Sequence, residues 1–150
     1  MPKVEIRWTE GNGSTNPFTK ESTGPYAEAA LGDAGGLTEF GARLERLMPG
    51  SASSFRHWHE TEDELVYILE GELVLVEETD TPLRAGDAAA WPAGAPVGHC
   101  LINRSDRPAL MLVVGTRAAS GRVHYPDVGL VLHHDAQGRR FTREDGSPID

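Results

Sequence analysis

Cysteine is nearly absent: the chain has one, Cys100, so no internal disulfide can brace it, in keeping with a reducing compartment. No apolar run approaches the roughly 18 residues of a membrane-spanning helix, and the opening MPKVEIRWTE has no apolar stretch behind a basic end. Basic charge is scarce too, with 14 Lys and Arg against 23 Asp and Glu and a formal net charge of −9. Such a surface repels phosphate backbones and anionic lipid, so nucleic acid and membranes are not expected as partners. The expectation is a cytoplasmic protein whose partner is a small-molecule ligand or substrate. Long helical periodicity is missing as well, and 150 residues suffice for one domain with a core but not comfortably for two.

What is present is glycine, proline and short apolar stretches. From Gly11 to Gly36 the segments GNGSTNPFTKESTGP and LGDAGG read as an irregular N-terminal arm. One helical turn is expected near Tyr26 to Leu31, with Trp8, Phe18, Tyr26 and Leu31 available to pin the arm down. After Gly36 the texture predicts strands at 38–48, 54–59, 64–69, 72–77, 88–91, 99–103, 109–116 and 129–133, divided by turn signals such as PG, EGE, RAGD and PAGAP. Many short strands with tight turns predict an all-β sandwich or barrel. The expected organisation is a barrel core over about 38–116, an arm over 1–37 and a C-terminal tail over 117–150. Residues 65–69 and 73–76 are apolar at successive positions, so both faces of these strands need cover, which predicts a homodimer.

Chemistry concentrates in FRHWHETEDELVYILEG, Phe55 to Gly71. On a strand, side chains alternate, so His57 and His59 share a face while Trp58 points away. Two adjacent imidazoles on a rigid strand are half of a metal site. After the polar turn ETED, Glu64 opens the next strand, where its carboxylate can fold back toward both rings. The other acids of this turn read as solvated. In a second hairpin, AGDAAAWPAGAPVGHCLINRS, His99, Leu101 and Asn103 share one face and Cys100 takes the other.

In these residues the chain resembles the cupin superfamily. Gly50, His57, His59, Glu64 and Gly71 are similar to its first motif, and Gly86, Pro92, Gly94, His99 and Asn103 to its second. The chain departs from the pattern in having six residues between Gly50 and His57 and four between Gly94 and His99. The tail is similar to that of a group of small single-domain bacterial cupins. The resemblance implies a double-stranded β-helix, or jelly-roll, barrel with one divalent metal held by His57, His59, Glu64 and His99. Three imidazoles and a carboxylate suit Fe, Mn, Ni, Co or Zn better than Ca or Mg.

Such a site points to a metal-dependent enzyme acting on a small organic molecule by dioxygenase, isomerase or lyase chemistry. The alternative is a noncatalytic module binding a sugar or carboxylate in the same barrel. Asn103 is a candidate to orient a ligand or to cap the turn at NRSD. Trp91 is a candidate pocket wall, and Arg43, Arg46 and Arg56 are candidates to steer an anionic substrate. His133 and His134, adjacent on a strand, face opposite ways and read as surface residues, and Cys100 reads as a buried small hydrophobe. The residues name no second acid or base.

Overall fold

The computed structural model describes residues 3–149. Its elements in chain order are β1 (Thr9–Gly11), β2 (Tyr26–Ala30), the single turn α1 (Leu31–Ala34), β3 (Phe40–Leu47), β4 (Trp58–His59), β5 (Glu64–Glu70), β6 (Glu72–Val76), β7 (Asp80–Arg84), β8 (Ala88–Trp91), β9 (Cys100–Ile102), β10 (Ala109–Thr116), β11 (Gly121–Tyr125), β12 (Leu130–Asp135) and β13 (Gly138–Arg143). One sheet runs β1-β2-β3-β10-β5-β8, a second β13-β12-β11-β4 and a third β7-β6-β9. The fold is all-β, a double-stranded β-helix barrel. No helix among the described residues is long and apolar enough to cross a membrane.

Alternation along the central strands builds the interior. Leu47, Met111 and Ile68 come from three neighbouring strands and are almost fully buried, as are Leu73 and Leu101 on the facing sheet. Burying each such side chain contributes about 1.5–3 kcal/mol. The register places Gly41, Gly115 and Glu64 in one row across the sheet, Arg43, Val113 and Val66 in the next, and Glu45, Met111 and Ile68 in the one after. Polar groups therefore gather toward the Glu64 end, with Glu45 reaching into the row of Met111 and Ile68, and the interior beyond Glu45 on β3 and Glu64 on β5 is apolar. Gly71 closes the tight turn from β5 to β6 at φ +76°, where a Cβ would come within 3.0 Å of the Pro108 carbonyl oxygen and 3.1 Å of Ala109 Cα. Only glycine fits there without strain.

The expected strands at 38–48, 64–69, 72–77, 88–91, 99–103 and 109–116 are present, those at 88–91 and 109–116 without change, that at 64–69 extended to Glu70 and the other three trimmed at their ends. The helical turn expected at Tyr26–Leu31 is instead β2, paired with β3 from Tyr26 opposite Leu47 to Ala30 opposite Arg43. Its alanines favour helix locally, but an open sheet edge offers the ladder instead. Helix begins only at Leu31. The strand expected over 54–59 reduces to Trp58–His59 and a bridge between His57 and His99. The tail is a meander of β11, β12 and β13 that docks on β4.

Successive apolar residues in β5 do take opposite faces. Val66 and Ile68 are buried, whereas Leu65, Tyr67 and Leu69 are each about 40 % exposed on the outside. Leu65 also borders a shallow outer groove with Phe40, Ala90 and Val114.

Candidate metal centre

The two halves of the site come from different hairpins that the fold brings together. His57 and His99 form an antiparallel bridge in which each amide donates to the other's carbonyl, at 3.2 and 3.0 Å. Their rings stand 5.0 Å apart, and Glu64, the first residue of β5, reaches between them. Donor atoms of His57, Glu64 and His99 all lie within 4.8 Å of one another. His57 Nε2 is 3.6 Å from Glu64 Oε2, and His99 Nε2 is 3.6 Å from Glu64 Oε1. His59 joins from the same face as His57, with Nε2 2.8 Å from Glu64 Oε2. The four residues read as ligands from the sequence thus converge, with His59 engaged to the carboxylate.

Each ring is aimed by its other nitrogen. His57 Nδ1 is 3.0 Å from the Phe55 carbonyl oxygen and 2.9 Å from Ser54 Oγ, and His99 Nδ1 is 2.9 Å from the Val97 carbonyl oxygen. A carbonyl only accepts, so Nδ1 donates in both rings, and Nε2 is the nitrogen turned toward Glu64. His99 is 1 % exposed, and its Nε2 has no hydrogen-bond partner. A buried, unpaired lone pair facing two imidazoles and a carboxylate costs free energy unless something electrophilic meets it. The donor set fits a divalent transition metal on that ground. Trp91 stacks on His99 at 3.6 Å, with the planes 2° apart, and its Nε1 donates to Glu77 at 3.0 Å. It is the wall behind the ring.

Charge agrees with this fit. Burial alone would raise the Glu64 carboxyl, but the three histidines around it outweigh burial and hold it well below the usual carboxylate range. Glu64 stays an anion. The cavity above the cluster, about 290 Å³, is also lined by Glu45, Glu62 and Asp63 against Arg43 and Arg117. It shares Gly41, Arg43, Glu45, Ser53 and Arg117 with a second chamber of about 390 Å³ that runs toward Ser14 and Thr23 of the arm.

Two further residues belong to this region, and one of them, Glu62, reads as part of a solvated turn in the sequence. Glu62 Oε1 lies 3.6 Å from His59 Nδ1 and 3.4 Å from His134 Nε2, while its Oε2 accepts from the Ala118 amide at 3.2 Å. A carboxylate behind a candidate ligand fixes the ring's tautomer and direction. His134 comes from the tail, and only the docking of β11 and β12 on β4 brings it there. Glu45 is the other, 4 % exposed on the inner face of β3. Its sequence signal is the alternation that turns Arg43, Glu45 and Leu47 inward together.

Several further candidates lie elsewhere. Arg46 faces outward, because the pleat that turns Arg43 inward turns Arg46 away, and its guanidinium sits 4.5 Å over the Trp8 ring. Arg56 is held by both oxygens of Asp127 at 2.6 Å, tying the β11–β12 loop to the barrel. Asn103 is fully buried but spends its amide on the Leu47 and Arg107 carbonyls and its oxygen on Ser105, so it fastens the turn. Trp58 faces away from the cluster and stacks on His124 at 4.2 Å. His133 bonds Thr142. Cys100 is buried, and burial pushes its thiol up to about 11, so it is unreactive near neutrality. The loop 92–98 is tied down, since the Gly94 amide donates to the His59 carbonyl at 2.9 Å and the Ala93 amide to Asp63 at 2.7 Å.

Comparison with known proteins agrees with the geometry. The cupin domain family matches residues 43–115. A crystal structure of a sugar phosphate isomerase of the cupin superfamily from Silicibacter pomeroyi is 42 % identical over 99 % of this chain and 97 % of its own, with a TM-score of 0.88. That of a proposed sugar phosphate isomerase from Acidithiobacillus ferrooxidans is 28 % identical over 84 % of this chain and 81 % of its own, with a TM-score of 0.78. A predicted oxalate decarboxylase from Thermotoga maritima, 24 % identical over 77 % of this chain and 95 % of its own at a TM-score of 0.58, shares the fold alone. No curated protein matches the chain in sequence. The chain belongs to the cupin superfamily.

Proposed function

We propose that the chain is a metal-dependent isomerase of a phosphorylated sugar, with His57, His59, Glu64 and His99 holding one divalent transition metal. The observation that carries the reading is the buried, unpaired Nε2 of His99 converging with His57 and Glu64 at the floor of an open polar cavity. The substrate class follows from the two sugar phosphate isomerase structures that this chain resembles.

When bound, the metal supplies a Lewis acid for a sugar carbonyl and its neighbouring hydroxyl. The protein's own part is positioning. The Phe55 and Val97 carbonyls keep two rings aimed, and Glu64 keeps its negative charge for the cation. Arg43 and Arg117, on the passage between the chambers, are the cations within reach of a phosphate. A phosphorylated substrate and a free cysteine both suit a cytoplasmic protein. The outer face of β5 fits a second copy of the chain, because Leu65, Tyr67 and Leu69 form an apolar stripe rather than scattered residues. Light scattering should then report a dimer that Tyr67→Asp converts to monomer.

The test loads the protein with Mn, Fe, Co, Ni or Zn, counts metal per chain by elemental mass spectrometry, and follows a panel of aldose and ketose phosphates by NMR. Interconversion in the loaded protein, lost in His57→Ala, His59→Ala together with the metal, is the expected result. A fully loaded protein that converts none of them overturns the reading.

A further inference from the structure

Moving a proton between neighbouring sugar carbons needs a base that is not itself holding the metal. The carboxylates lining the cavity are Glu45, Glu62, Asp63 and Glu64. Glu64 belongs to the ligand cluster. Glu62 accepts from the Ala118 amide and lies behind His59 and His134, and Asp63 accepts from the Ala93 amide and is exposed in the turn before β5. That leaves Glu45. Among the described residues its hydrogen bond comes from Arg43 Nε, at 3.3 Å to Oε2, leaving Oε1 for a bound molecule.

Its placement is costly in a way that packing does not explain. Glu45 stands directly across from Glu28 on β2, a like-charged pair that destabilises a sheet, and one half-exposed arginine, Arg43, serves both. Burial raises the Glu45 carboxyl above the ordinary carboxylate value, with Arg43 opposing this and the Glu28 and Glu64 charges adding to it. Two residues further along the same face, Leu47 shows what a packing residue looks like here.

We propose that Glu45 is the proton carrier of the isomerisation, taking the C2 proton of a sugar phosphate seated at the His57, Glu64 and His99 cluster and returning it to C1. The proposal rests on the isomerase reading above. In the forward step the C2–H pair becomes the C1–C2 double bond, the carbonyl pair moves onto O1 to give an enediolate, and Glu45 becomes the neutral acid. In the return step the double-bond pair takes the Glu45 proton at C1, and O1 keeps the proton that O2 gives up. Substrate and product are isomers, and no oxidant or reductant is consumed. A single carboxylate works one face of the enediolate, so some label exchanges with solvent during its lifetime.

Glu45→Gln keeps the volume and removes the base. The expected result is a fall in kcat of about 10²- to 10⁴-fold, with KM changed less than about threefold. Deuterium uptake from D₂O should fall in step, metal content should stay that of the wild type, and the thermal midpoint should hold or rise because a buried charge is gone. A mere structural ion pair would give the reverse, a lower midpoint with kcat kept. If the Gln variant does not fold, Glu45→Asp withdraws the carboxyl by one methylene and should cost at least about tenfold in kcat at constant metal content. Turnover and exchange that survive in Glu45→Gln overturn the role of Glu45 while leaving the isomerase reading intact. A metal-loaded wild type that turns over no sugar phosphate overturns both.

Discussion

The inner wall of the barrel has two ends built from the same strands, and burial does opposite things to them. Along β3 the inward positions read Arg43, Glu45, Leu47, and along β5 they read Glu64, Val66, Ile68. At the apolar end burial is the source of stability. At the polar end it leaves His99 Nε2 unpaired and lifts the Glu45 carboxyl, both of which cost stability. The change takes two residues along one strand. A rigid apolar end lets the fold carry an uncompensated polar end at the mouth, where a cation and a substrate can make up what the protein leaves unsatisfied.

Exchanging one residue at each end should separate the two. Glu64→Gln has the largest expected effect on the site, because it removes the anion between three imidazoles while keeping its shape. Metal per chain should drop from near one to near none in elemental analysis, with the circular dichroism of the folded barrel unchanged. Ile68→Ala, two rows down and 0 % exposed, should lose about 2–5 kcal/mol of unfolding free energy in a urea titration and keep its metal. If Ile68→Ala shed its metal as readily as Glu64→Gln, the two ends would not be separable.

The barrel and its principal cluster were legible in the sequence because both rest on local rules. Alternation puts His57 and His59 on one face, Glu64 starts the next strand, and the turn at Gly71 needs glycine. What was not legible depends on distant docking. Glu62 looked like part of a solvated turn, and its burial follows from Ala118 and His134, which lie 56 and 72 positions further along. Strands β7 and β13 were missed because they have little apolar alternation to show, with Leu83 the buried residue of DTPLR and GRRFTR largely exposed. Tyr26–Ala30 has the composition of a helix and became a strand because β3 offered it an edge.

The finest distinction is between holding the metal and aiming a ligand, and Glu62 tests it. Its carboxylate backs His59, so Glu62→Gln should weaken metal binding by about 10- to 100-fold in a competition titration. The pH dependence makes this specific. In the metal-free protein burial alone would lower His59, but Glu62 and Glu64 outweigh burial and raise it from 6.5 to about 9. A raised histidine stabilises the metal-free fold fully below about pH 6.5, and that contribution is lost as pH rises through about 9. Metal needs the same ring without its proton. Below about pH 9, affinity in the wild type should therefore fall about tenfold for each unit of pH, one proton released per metal bound. Removing the Glu62 charge lets His59 drop toward neutrality, so the proton competes less. The deficit of Glu62→Gln should then be widest above about pH 9 and narrow steadily toward pH 7. A deficit that stayed constant across that range would mean that Glu62 supports the hairpin and does not act through His59.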